Sequence, residues 1–200
     1  MCLVYIVDDD EELSESLAWL LESVGIRSER FRDARTFLRS YDRTRPACLV
    51  LDVRMPELSG FGVQDLLNET GSPLPVVFVS AHGDIRMSVR AMQNGAVDFL
   101  EKPYDPQHLL DVVQNAQRTA RERFDREAQQ SRLRAKLDIL TEREREVLAL
   151  SVEGASNKQI AGRLGISAKT VDVHRARIRE KTGAESVPAL VLDVLRLDAW

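Results

Sequence analysis

The sequence predicts an α/β domain with five parallel strands, joined by a helical connector to a small all-α domain of four helices. Three observations carry this. Short apolar runs alternate with helix-spaced stripes up to about residue 117. No strand candidate follows Leu140. Charge is divided unevenly along the 200 residues: 11 Lys+Arg stand against 19 Asp+Glu in 1–117, 7 against 4 in 118–138, and 10 against 9 in 139–200. An acidic half, a basic connector and a near-neutral tail imply separate tasks. Mild overall acidity excludes a chain that coats nucleic acid over its whole surface, but not one with a local basic face.

The elements follow in order. Leu3–Val7 is a short apolar run. Residues 11–24 carry Leu13, Leu17, Leu20, Leu21 and Val24 at helical spacing, closed by Gly25. Residues 27–31 form a weaker strand candidate, and Asp33 caps a short helix that turns Phe37 and Leu38 inward. Residues 47–52 and 75–80 are the clearest buried strands, with helices at 60–69 and 84–94 after them and a fifth strand at 96–101. Asp105-Pro106 reads as an N-cap followed by Pro at the first helical position. From Pro106 to about Leu137 no Gly or Pro intervenes, so the last helix of the sheet domain runs on into a charged, solvated connector. The apolar repeat does not persist over three heptads, which disfavours a coiled-coil seam.

Beyond Leu140, Thr141 and Glu144 form a capping box, and Gly154, Gly165 and Gly183 separate four helices at about 142–152, 157–164, 168–182 and 186–197. The middle pair, with Gly165-Ile166-Ser167 between them, has the helix-turn-helix layout.

Strands alternating with helices imply right-handed crossovers and a parallel sheet covered on both faces. Ligands of such sheets sit beyond the carboxyl ends of the strands. Asp8, Asp9, Asp52, Ser80 and Lys102 all fall at or just past those ends. A phosphoryl acceptor needs an exposed carboxylate, a cation against the transferring charge, and a fixed positive group beside it. Asp52 suits the first role, Asp8 and Asp9 are hard oxygen donors for Mg²⁺, Lys102 supplies the point charge, and Ser80 can hydrogen-bond a phosphoryl oxygen. Each alone could be an ordinary surface residue capping the next helix; five together at strand ends are not easily explained that way. Cys2 and Cys48 lie in no metal-ligand spacing and read as packing residues of a reducing compartment. The first residues lack a basic n-region, and no apolar stretch reaches the roughly 20 residues of a membrane span, so a cytoplasmic protein with no membrane association is expected.

Residues 1–117 resemble a response-regulator receiver domain, with its flavodoxin-like fold. The resemblance rests on Val7-Asp8-Asp9, Leu51-Asp52-Val53-Arg54-Met55-Pro56, Gly60, Ser80-Ala81 and Lys102-Pro103. It implies phosphorylation of Asp52 by a sensor histidine kinase. Mg²⁺ would be held by Asp9, Asp52 and the backbone carbonyl of Arg54, with Asp8 ordering that metal site. Ser80 and Lys102 would bind the phosphoryl group, and Ser80 and Phe99 would act as the switch pair. No role is assigned to Asp10. Residues 139–200 are similar to the DNA-binding domain of the LuxR/NarL class, through Leu140–Glu144, Ser156–Ala161 and Thr170–Arg175. With a helical linker at 118–138, the whole chain resembles the FixJ type of two-component regulator.

On the helix at 168–182, Val171 and Ile178 share a buried face, while Lys169, Asp172, Val173, Ala176 and Arg177 point the other way, toward a major groove. By resemblance Asp172, Val173 and Ala176 are the readers. Asp172 could accept from a cytosine amino group and Val173 could touch a thymine methyl. Lys158, Lys169, Arg175, Arg177 and Arg179 are expected on phosphates, with Thr170 beside them. His174, at the edge of the buried face, is expected to pack or to hydrogen-bond a phosphate.

Phosphorylation would then repack Phe99, change the face built from residues 84–117 and pair two receivers on promoter DNA, with RNA polymerase as a further partner. Two other classes compete. A Mg²⁺-dependent phosphatase using Asp52 as nucleophile wants a second carboxylate two residues on, where Arg54 stands. A phosphorylation-tuned adaptor would bind protein through 141–200.

Overall fold

Five parallel strands lie in the order β2-β1-β3-β4-β5: β1 Leu3–Val7, β2 Ser28–Phe31, β3 Ala47–Asp52, β4 Val76–Ser80 and β5 Asp98–Glu101. The computed structural model describes residues 2–72, 74–81 and 83–200. Every residue of β3 and β4 is buried, as a parallel sheet covered on both faces demands. The two-residue period sorts their side chains. Val4, Ile6, Cys48, Val50, Val77 and Val79 face one side, where they meet Leu17 and Leu21 of α1 (Glu11–Ser23) and Leu109, Val113 and Ala116 of α5 (Pro106–Asp138). Tyr5, Val7, Leu49, Leu51 and Phe78 face the other side, against Phe37 of α2 (Ala34–Ser40), Val63 and Leu67 of α3 (Gly60–Glu69) and Ala91 of α4 (Ile85–Gln93).

Local chemistry sets the helix starts. Asp10, Asp33, Ser59 and Asp84 each accept a hydrogen bond from the backbone N–H three residues on, satisfying a donor that the first turn leaves over. Asp105 does the same for α5, accepting from His108 N at 2.8 Å. The stripe expected on α1 shifts by one position. Ser14, Leu17 and Leu21 are buried, while Leu13 and Val24 are exposed at 40% and 48%. At 100° per residue, position 14 shares the 17–21 face more closely than position 13 does.

The chain divides into two compact units, the first ending at Asp125 and the second covering Arg126–Trp200. The expected connector is helical throughout, as part of α5, but it is not solvated along its whole length. Ala120 is buried in the first unit's core, and Leu133 and Leu137 are buried in the second unit's core. Positions 133, 137 and 140 recur about one turn apart, which aligns them on one face.

The second unit holds α6 Glu142–Val152, α7 Asn157–Leu164, α8 Ala168–Thr182 and α9 Val187–Leu197. Capping boxes open α6 (Thr141 with Glu144) and α7 (Ser156 with Gln159). Gly165 and Gly183 close α7 and α8 at φ 65° and 67°, where a side chain would be strained. Val147, Leu148, Ile160, Val171, Ile178, Leu190 and Val194 make the core.

Candidate functional site: the acidic pocket and the reading helix

In a 2-1-3-4-5 sheet the chain reverses direction of winding between β1 and β3, opening a crevice beyond their carboxyl ends. Asp8 follows the last residue of β1 and Asp52 is the last residue of β3. Both carboxylates are buried, at 5% and 6% exposure, so Asp52 is not the exposed carboxylate expected from its place at a strand end: neighbouring groups at the sheet edge cover it. Lys102, one residue past β5, reaches between them: its Nζ donates to Asp8 Oδ2 and to Asp52 Oδ1, each at 2.7 Å. The base of this arm is fixed where Lys102 N donates to Ser80 O at 2.8 Å, tying the ends of β5 and β4.

The remaining carboxylate oxygens are also engaged. Arg54 N donates to Asp52 Oδ2 at 2.6 Å, and Asp10 N donates to Asp8 Oδ1 at 2.9 Å. Asp10 thus acquires a place, orienting Asp8 through its backbone while its side chain caps α1. Gly60 is required here by close approach. Its N–H donates to Val53 O at 3.0 Å, and a Cβ would run into the carbonyl oxygen of Asp52.

The electrostatics follow from burial. Desolvation raises the Asp52 carboxyl above its ordinary value and Asp8 adds to the rise, against the lowering from Lys102 and from the Arg54 N–H. For Lys102, burial pulls the ammonium down, but its pairing with Asp52 and Asp8 prevails and leaves it raised. Tyr104 had no part in the sequence-based expectations, yet it lies close enough to feel both Lys102 and Asp8; burial raises its hydroxyl.

Of the expected residues, Asp8, Asp52 and Lys102 meet directly, and Ser80 ends β4 fully buried. Asp9 is exposed. Among the described residues no three His, Cys, Asp or Glu side chains are grouped closely enough to hold a metal, and Lys102 is paired with both Asp8 and Asp52. Phe99, in β5, lies half-buried over the loop after Ser80: a Cβ on Gly83 would be 2.8 Å from Phe99 Cε1.

In the second unit, Val171 and Ile178 are fully buried and Lys169, Asp172, Val173, Ala176, Arg177 and Arg179 are exposed, as the helix phase requires. Lys158 is exposed at the start of α7. Thr170 Oγ1 is 2.8 Å from the capping Ser167 Oγ. His174 is half-buried, with Nδ1 buried and without a hydrogen-bond partner, which favours packing over a phosphate contact through that nitrogen. Arg175 is half-buried and donates to Asn157 Oδ1, a partner that spacing alone does not reveal. Asn157 also donates to Asp172 Oδ1 at 2.6 Å.

Comparison with known proteins places both units. Residues 4–114 match the response regulator receiver domain, and residues 138–193 match the bacterial regulatory proteins of the luxR family. The chain is 42% identical over 195 residues to the response regulator protein TmoT of Ectopseudomonas mendocina, covering 98% of this chain and 89% of that protein. It is 40% identical to the transcriptional regulatory protein FixJ of Azorhizobium caulinodans over 188 residues, 94% of this chain and 89% of that protein. The solved structure of the response regulator StyR superposes with a TM-score of 0.79 at 43% identity, covering 98% of each chain. The chain therefore belongs to the response regulators of two-component systems, as a transcriptional regulator with a receiver domain followed by a LuxR-type DNA-binding domain.

Proposed function

We propose that Asp52 is the phosphoacceptor, charged by a sensor histidine kinase, and that the modification promotes receiver pairing and promoter binding by α8. The observation that carries this is the single ammonium of Lys102 shared by two buried carboxylates at the carboxyl edge of the sheet. In the transfer, an Asp52 oxygen forms a bond to phosphorus as the P–N bond to the kinase imidazole breaks, and the ring nitrogen keeps the electron pair. Receiver domains use Mg²⁺ for this reaction. The groups that would hold it are hard oxygen donors, the carboxylates of Asp9 and Asp52 and the Arg54 carbonyl, with Asp8 ordering them; Asp8 and Asp52 are the two that Lys102 already draws together. Bound there, Mg²⁺ would supply positive charge against the transferring oxygens.

The protein's own groups do the rest. Lys102 is already placed to follow the new phosphoryl charge, and Ser80 is at the same strand edge to donate to it. Drawing Ser80 inward pulls the loop that carries Gly83, and Phe99 repacks against it. That alters the surface of 84–117, where Ile85, Val89 and Met92 are exposed at 82%, 46% and 48%. Two receivers joined there would bring two reading helices to adjacent half-sites, with RNA polymerase meeting the complex at the promoter. The division of labour is 1–117 for input, 118–138 as linker and 139–200 for output, consistent with the family matches at 4–114 and 138–193. The receiver acts as no enzyme beyond its own phosphorylation and dephosphorylation. A cytoplasmic location fits a DNA partner, and among the described residues no helix is long and apolar enough to cross a membrane.

The test is DNA binding with and without acetyl phosphate, on a duplex selected from a random pool. Phosphorylation should tighten binding and raise the sedimentation mass together in the wild type. Asp52→Asn should show neither change. Equal stimulation of both proteins would refute the assignment.

A further inference from the structure

Asn157 lies outside the reading helix, as the first residue of α7, yet it ties down two of that helix's polar heads. Its Nδ2 donates to Asp172 Oδ1 at 2.6 Å and its Oδ1 accepts from Arg175 Nη1. The chemistry of the partners fixes the amide's orientation, since a carboxylate only accepts and a guanidinium only donates. Asp172 and Arg175 stand three positions apart on α8, hence on one flank of its surface. The amide sits between them, half-buried, while Asp172 is exposed.

Consider the two side chains without it. A carboxylate beside a phosphate backbone is repelled and swings away from the groove. An arginine on its long stem goes to the nearest phosphate, which fixes position but reads nothing. With the amide in place, Asp172 is held through Oδ1 and can turn Oδ2 to a base amino group, and Arg175 is restrained at the α7–α8 junction. We propose that Asn157 is a specificity-positioning residue that holds Asp172 as a base-edge acceptor and keeps Arg175 from acting as a free phosphate contact. The proposal rests on the reading that α8 enters the major groove.

The prediction is a separation of two properties that a merely structural residue would not separate. Removing the amide deletes no phosphate-contacting group and frees Arg175 for one, so general DNA affinity holds or rises while discrimination falls. The experiment uses the full chain treated with acetyl phosphate. The wild type first selects a preferred duplex from a random pool. Affinities are then measured for that duplex, for each of its single-base variants and for sheared DNA. The proteins compared are wild type, Asn157→Ala, Asp172→Ala and the double variant, with circular dichroism to check folding.

Each single variant should lower the preference at one and the same base pair by about tenfold. The double variant should be no worse than either single. Affinity for sheared DNA should not fall in either single variant; Asp172→Ala should keep the salt slope, while Asn157→Ala, by releasing Arg175 to a phosphate, should steepen it by up to about one. Asn157→Asp keeps the size and the acceptor for Arg175 but sets a like charge against Asp172, so it should lose discrimination as Asn157→Ala does. Losses that multiply in the double variant would overturn the proposal. So would equal weakening on selected and sheared DNA, or an Asn157→Asp protein that reads like wild type. A wild type that selects no sequence would overturn the major-groove reading itself, and this shows before any variant is compared.

Discussion

Lys102 Nζ lies 2.7 Å from Asp52 Oδ1 and at the same distance from Asp8, so one ammonium compensates two buried carboxylates. The arrangement is under-neutralised, and its response to charge removal, to acid and to an added phosphoryl group follows from that imbalance.

Lys102→Met should leave Asp8 and Asp52 unpaired and destabilise the receiver at neutral pH by about 3 kcal/mol, the range for breaking a buried pair. The sign of its pH dependence is fixed by direction. Asp52 is raised above 3.8 in the folded state, so its ionisation opposes folding and its protonation relieves the variant. The gap between variant and wild type should therefore narrow as pH falls through the carboxylate range. Lys102 is raised above 10.5, so its own contribution is complete below that value and is lost as pH rises through the folded-state value. Urea unfolding at acid and neutral pH checks this. A gap that is constant across the range would contradict it, and added Mg²⁺ should shrink it at neutral pH.

Gly83→Ala should displace the Phe99 ring, because the new Cβ would stand 2.8 Å from Phe99 Cε1. The ring can swing outward, so the stability change should stay under about 1 kcal/mol. Fluorine NMR on labelled phenylalanine reads the ring directly. A shifted Phe99 resonance with increased self-association before phosphorylation is expected; an unmoved ring would remove Phe99 from the switch.

Glu144→Gln tests the second unit's core. Glu144, at 2% exposure, accepts from Lys181 Nζ at 2.7 Å and from Thr141 N at 2.8 Å. Burial alone would raise this carboxyl, but the Lys181 and Thr141 bonds outweigh it and leave it lowered below 4.5. Its stabilisation is therefore present above that value and is lost as pH falls through the lower, folded-state value. The variant should lose about 2 kcal/mol at neutral pH, with the difference fading in acid. In a Trp19→Phe background, Trp200 fluorescence follows the unfolding of this unit alone.

Val173→Lys with Ala176→Glu alters two exposed positions on α8 while leaving Val171 and Ile178 in the core. Gel shift on the selected duplex should show at least about a tenfold loss, the scale of one or two mismatched base pairs. Intact binding would mean that α8 is not the reader.

Much of this was legible in the sequence for physical reasons. A parallel sheet buried on both faces leaves long apolar runs, and their carboxyl ends locate the crevice, so Asp8, Asp52 and Lys102 could be set together from their positions alone. Caps and glycines located the second unit's helices to within a residue. Periodicity gives a face but not a partner, and the gaps follow from that. It could not choose Ser14 over Leu13 on α1. It could not show that Lys102 lies between the two acids, that Phe99 rests on Gly83, or that Asn157 holds Asp172 and Arg175. The burial of Leu133 and Leu137 was missed because the charged residues around them dominate the segment's composition.

The central claim is that Asp52 accepts the phosphoryl group. Intact-mass measurement after acetyl phosphate and Mg²⁺ tests it most directly, comparing wild type with Asp52→Asn. A single phosphoryl adduct on the wild type and none on the variant is the predicted result; equal adducts on both, or none on a folded wild type, would contradict it.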